Sequence, residues 1–145
     1  MTPQWENAVR RGDVRDLTEQ LALGADVDAR DRHGHTALMI AAGDGRQDVV
    51  GLLVNHGAAL DHTAKYGLSA LMIAVVRRHA DVVRTLAEAG ASLSLRGTGA
   101  PGFAGKTATD LASEIGDATR GGCEIYRSPS LRALLNCRFL INRCR

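Results

Sequence analysis

The chain is poor in aromatic side chains, with one Trp, two Tyr and two Phe among 145 residues. A core built almost without rings has to come from aliphatic side chains and alanine, and such small residues suit closely stacked helices. Cysteine is scarce too. Cys123, Cys137 and Cys144 are odd in number and show no CxxC spacing, which argues against both a disulfide framework and a zinc site. Reduced thiols are therefore expected. The longest apolar runs, such as Ala70 to Val76, fall far short of the roughly 20 residues that cross a bilayer. The start, Met1-Thr2-Pro3-Gln4-Trp5-Glu6, lacks a basic-then-apolar export signal, so the expected location is the cytoplasm. No Ser-His-Asp or Cys-His arrangement stands at a useful spacing, and no pair of carboxylates is marked out by its surroundings. The sequence therefore predicts no enzyme.

What the chain does have is a period. Gly34-His35-Thr36-Ala37-Leu38-Met39-Ile40-Ala41 returns as Gly67-Leu68-Ser69-Ala70-Leu71-Met72-Ile73-Ala74, Asp48-Val49-Val50 as Asp81-Val82-Val83, and Gly57-Ala58 as Gly90-Ala91. Every one of these offsets is 33 residues. A turn followed by two short apolar stretches at that period marks stacked helix pairs, each burying its faces only against its neighbours.

Within one unit, Thr36 is placed to cap a short helix through Ala42, and Gly45 supplies a left-handed turn. Asp48 then starts a second helix whose apolar face is Val49, Val50, Leu52 and Leu53, and Gly57 stops it. A half-unit precedes this one, since Ala8, Gly12, Leu21, Gly24 and Ala25 stand 33 residues before Ala41, Gly45, Val54, Gly57 and Ala58. Its second helix carries Asp16, Glu19 and Gln20 where later copies carry apolar residues, as a terminal unit facing water should.

These residues carry a resemblance. Asp31-Arg32-His33-Gly34-His35-Thr36-Ala37-Leu38-Met39-Ile40-Ala41-Ala42, with the later Val49-Val50-x-Leu52-Leu53-x-x-x-Gly57-Ala58, is similar to the ankyrin repeat. The resemblance implies an all-α solenoid of helix-turn-helix units with protruding turn tips, acting as a non-catalytic protein-binding module without cofactors. It divides the chain into a capping half-unit (1–29), two repeats (30–62 and 63–95) and an irregular closing repeat with a tail (96–145). Three positions depart from the pattern: Met39 and Met72 stand where the family most often has His, Ala37 and Ala70 where it often has Pro, and Arg78 where Gly12 and Gly45 predict Gly.

The third copy is irregular. Gly105-Lys106-Thr107 follows Gly67 by 38 residues, so about five extra residues lie in the Gly-rich connector, on the 33-residue period expected of such repeats. Gly116 to Gly122 reads as a loop, and Ser128-Pro129 as the start of a delayed helix leading into Leu131, Leu134 and Leu135. Two phosphate-binding look-alikes fall here: Gly97-Thr98-Gly99-Ala100-Pro101-Gly102, and a relaxed P-loop from Ala100 to Thr107. A true P-loop needs a strand before it, a long helix after it and a carboxylate for the magnesium shell. The repeat itself already demands Gly-x-Thr at Gly105 to Thr107, so no nucleotide binding is expected. His33, His35 and His62 lie on neighbouring connectors and are read as exposed polar residues rather than as metal ligands.

The residues left unconstrained by packing are the candidates for binding. Arg32, His33 and His35, then Lys65, Tyr66 and Leu68, occupy matching places on successive tips, while Asp44 and Arg77 end the first helices. The resemblance implies that tips and first helices line a concave face for a partner protein, and Tyr66, flanked by Lys65 and an exposed Leu68, suits an anchor. Charge is uneven: residues 1 to 119 carry ten Arg and two Lys against fifteen acids, whereas 120 to 145 carry six Arg against Glu124 alone. Arg132, Arg138, Arg143 and Arg145 around Phe139 leave nucleic-acid binding as a rival reading. Phe139-Leu140-Ile141 leave self-association as another. The favoured reading is a monomer binding a partner protein, with the tail as a closing helix.

Overall fold

Side-chain oxygens of Thr2, Asp13, Thr36, Ser69 and Thr107 each accept from a backbone amide three residues on, and each such residue stands immediately before a helix in the computed structural model. Capping of this kind satisfies donors that a helix start otherwise leaves orphaned. The structure describes residues 1–99 and 102–118. Among them are seven α-helices: α1 (Pro3–Arg11), α2 (Val14–Ala22), α3 (Ala37–Gly43), α4 (Gln47–Asn55), α5 (Ala70–Val76), α6 (Ala80–Glu88) and α7 (Ala108–Ala118). No strands form among the described residues; each connector closes with an isolated bridge, Arg30 to Thr36, Thr63 to Ser69 and Gly97 to Ala104.

The helices form two layers. α3 packs between α1 and α5, and α5 packs against α7, giving an inner row, while α2, α4 and α6 form an outer row along it. The inner position explains the composition: Ala37 to Ala42 of α3 are all buried, so that short helix is apolar all round. Alanine forms a column through the row, with Ala8, Ala41, Ala74 and Ala112 each at most 2% exposed, and the missing side-chain volume lets neighbouring helices approach. The outer helices bury one face only, Val49, Val50 and Leu53 in α4 and Val82, Val83 and Leu86 in α6. In α2 the buried set shrinks to Leu17, as its polar sequence requires.

Polar contacts repeat at the same period. The Asp28 carboxylate accepts from the Ala59 amide at 2.9 Å, and Asp61 accepts from Ser92 at 2.7 Å one unit later. Arg46 lies over Gly12 and donates to the Arg10 carbonyl, while His79 lies over Gly45 with its Nε2 3.0 Å from the Gly43 carbonyl oxygen. Gly12 and Gly45 are left-handed (φ 76° and 70°); a Cβ on Gly45 would stand 2.7 Å from the His79 ring, and one on Gly12 would press on the flexible Arg46 side chain at 3.2 Å. Arg78 takes the same conformation (φ 63°) with an exposed side chain. The position expected to need Gly is thus left-handed without one.

Two readings change. The segment from Gly116, expected to be a loop, is helical as far as Ala118, because an interior Gly costs a helix only about 1 kcal/mol and does not end it. The second helix of the first full repeat begins one residue earlier than Asp48, at Gln47, and its counterpart in the next repeat at Ala80. The three cysteines, the helix expected after Ser128-Pro129, Phe139-Leu140-Ile141, the basic tail, and Ala100-Pro101 of the P-loop look-alike lie outside the described residues.

Candidate partner-binding surface

The first tip is organised by a residue that the sequence reading did not single out. Asp31 turns its carboxylate inward, where it accepts from the amides of His33 and His35, both at 2.8 Å, and sits 3.3 Å from the His35 Nδ1. Its side chain is only 7% exposed. Burial by itself would raise the Asp31 pKa, but the His35 and His33 amides and then the His35 ring outweigh it and hold the carboxyl below its ordinary value. Gly34 closes the turn at φ 81°. Arg32 and His33 are left facing water, while His35 is half-buried against Asp31. An Asp that bonds amides two and four residues on, before a Gly, is a legible turn signal.

The second tip has the same length and lacks that device. Ala64 stands in the place of Asp31, and the chain turns through a short 3-10 segment, Lys65–Gly67. Tyr66 and Gly67 are both left-handed, at φ 74° and 71°. For Tyr this conformation costs about 1 kcal/mol or more. The tip is held from outside, since the Thr98 amide of the next connector donates to the Tyr66 carbonyl at 2.8 Å. Tyr66 remains 47% exposed, with the Lys65 Nζ 5.4 Å from its ring centre.

Four of the named residues, Arg32, His33, Lys65 and Tyr66, are therefore exposed along one edge of the inner row. Asp44 and Arg77 are exposed at the far ends of α3 and α5, about 10 Å away at 1.5 Å per helical residue. Leu68 corrects the expectation of exposure: it is partly buried and packs against the core, as half-buried His35 does at the matching place toward Asp31. The histidines do not converge. His62 Nδ1 lies 2.8 Å from the Arg30 guanidinium, while the His33 and His35 rings are 6.1 Å apart. Among the described residues no group of three metal-ligating side chains forms.

The Lys106 region is occupied by structural contacts. Lys106 Nζ pairs with Glu114 at 2.7 Å. Thr107 and Asp110 cap α7 reciprocally: the Thr107 hydroxyl oxygen accepts from the Asp110 amide at 3.2 Å, and Asp110 accepts from the Thr107 amide at 2.9 Å. Those bonds, the amide first and then the Thr107 hydroxyl, hold the Asp110 carboxyl below its ordinary range. The Thr-x-x-Asp spacing announces this box in the sequence.

A two-layered stack of helix pairs with bridged tips defines a helical repeat solenoid. A family model described as ankyrin repeats, three copies, matches residues 6–96, and the chain belongs to that family. A search of curated proteins finds no match. Ankyrin repeats are in general protein-protein interaction modules and are typically non-catalytic. None of the helices among the described residues is long and apolar enough to cross a membrane.

Proposed function

We propose that the protein is a non-catalytic cytoplasmic binding module that holds a partner protein on its concave face, along the tips and across the exposed ends of the inner helices. The observation that carries this reading is Tyr66. A large aromatic side chain stands at a protruding tip, half out of the core, in a backbone conformation that disfavours it. Strain at an exposed residue is retained where something other than folding needs the side chain. Tyr and Arg also supply much of the energy at protein interfaces, which makes Tyr66 and Arg32 the anchors, with His33, His35 and Lys65 beside them and Asp44 and Arg77 at the far margin.

The test is capture of partners from a lysate of the source cells by the wild-type chain and by Tyr66→Ala combined with Arg32→Ala, followed by titration of the captured protein. The double variant is expected to keep the wild-type helical circular dichroism and to lose about 2 kcal/mol or more of binding. Removing Arg143 and Arg145 is expected to change little. Normal binding by the double variant, with loss on removal of the tail arginines, would move the function to the tail.

A further inference from the structure

The charge on the two tips is segregated from that on the body. Residues 30–36 and 63–69 carry Arg30, Arg32 and Lys65 against a single acid, Asp31, whereas the rest of residues 1 to 119 carry nine Arg or Lys against fourteen acids. The single acid is turned inward and consumed by its own tip, with a 7% exposed side chain and three neighbouring donors. What the tips show to solvent is therefore cationic. The body behind them is acidic and repels an anionic segment that strays from the strip.

Resting on the interaction reading above, we propose that the strip formed by Arg32, His33, Lys65 and Tyr66 takes an extended acidic segment of the partner protein, with an apolar side chain of that segment lying on the Tyr66 ring. The third connector sets the end of the strip. Thr98 docks on the second tip through the Tyr66 carbonyl, and Gly99 lies beside the Tyr66 ring, so the third connector bounds the strip on that side of Tyr66. Stacked helices sit about 8–10 Å apart, and an extended chain in the polyproline II form advances about 3.1 Å per residue and returns every third side chain to the same face. Carboxylates three residues apart on the segment thus meet Arg32 and Lys65 together.

The strip is tested with the full chain and a fluorescein-labelled twelve-residue peptide holding glutamates three residues apart and one central leucine. Amide shifts on titration are expected at Arg32, His33, Lys65 and Tyr66, and a peptide with glutamine in place of glutamate is expected to bind at least tenfold more weakly. Arg32→Gln and Lys65→Gln, both at exposed positions, should each weaken the glutamate peptide several-fold and flatten its salt dependence. Equal binding of the glutamine peptide, shifts centred on Arg11, Arg46, Arg77 and Arg78, or an absence of shifts would overturn the acidic-segment assignment. Tighter binding of oligouridylate at the same amides would also overturn it, giving the strip to nucleic acid. These outcomes are distinct from failure of the interaction reading, which shows as unchanged partner capture by the Tyr66 and Arg32 double variant.

Discussion

The first and second tips have the same length and the same backbone bonds across the turn, but different added support. In the first, Asp31 gathers the amides of His33 and His35 within the same seven residues, and the turn is complete in itself. In the second, Ala64 offers no side-chain acceptor, Tyr66 enters the left-handed region, and the Thr98 amide from the following connector holds the Tyr66 carbonyl. Both tips close through the same backbone bonds, Asp31 N–H to the His35 carbonyl and Ala64 N–H to the Leu68 carbonyl; the first adds a side-chain staple of its own, the second a bond from a neighbour. The contrast shows how repeats that share a core period can differ where they meet a partner, because the tips lie outside the packing that enforces the period.

The sharpest way to test this difference uses the two tip glycines. A Cβ on Gly67 would stand 2.7 Å from the Thr98 Oγ1 and 2.9 Å from its backbone nitrogen, whereas on Gly34 the nearest neighbour is the Lys65 nitrogen at 3.8 Å. Both are left-handed, so both substitutions carry about 1 kcal/mol of strain, but only Gly67→Ala also displaces backbone. Urea unfolding is expected to give about 2–4 kcal/mol for Gly67→Ala and about 1 kcal/mol for Gly34→Ala. Equal losses would mean that Thr98 does not support the second tip.

Next in size is Asp31→Ala, expected to cost about 1–2 kcal/mol because it strips the first tip of its acceptor. The sign of its pH dependence follows from a carboxyl lowered below its ordinary 3.8 in the folded state. The stability it contributes is complete above the unfolded value and is lost as pH falls from about 4 through the folded value. Urea midpoints followed from pH 7 to pH 3 should therefore decline less in Asp31→Ala than in the wild type. A parallel decline would remove Asp31 as the staple of the tip.

Smaller again is Tyr66→Gly, which relieves left-handed strain and raises unfolded-chain entropy, for a net gain of up to about 1 kcal/mol in thermal or urea stability. The same change should weaken the partner, so stability and binding move in opposite directions. A clear loss of stability would make Tyr66 a packing residue. The smallest effect is expected at Arg78→Gly, neutral to about 1 kcal/mol stabilising, since the residue is left-handed with its side chain in solvent. Loss there would show that the Arg78 side chain supports the stack.

Much of the scaffold was legible from letters alone, and the reason is physical. The inner helices with neighbours on both sides, α3 and α5, must be apolar nearly all round and each outer helix on one face, so Ala37 to Ala42 and Val49, Val50 and Leu53 announce their layers by composition. Turn glycines and Thr or Ser caps announce the ends. The surface was less legible. Asp31 carries no surface signal because its carboxylate fixes a turn, and Leu68 reads as exposed because its neighbours on the tip are polar, while the core beneath the second tip receives it.

The sequence by itself determined the period, the two-layer packing, the capping of the helices and the left-handed need at Arg78, because these arise within one unit or from identical neighbours. Tertiary structure decided which tip residues face outward. It brings Thr98 onto Tyr66 and pairs His62 with Arg30. Such contacts join residues about 30 apart or displaced from the repeat, and no local preference of the chain specifies them; they follow only once the stack has set the distance between one unit and the next.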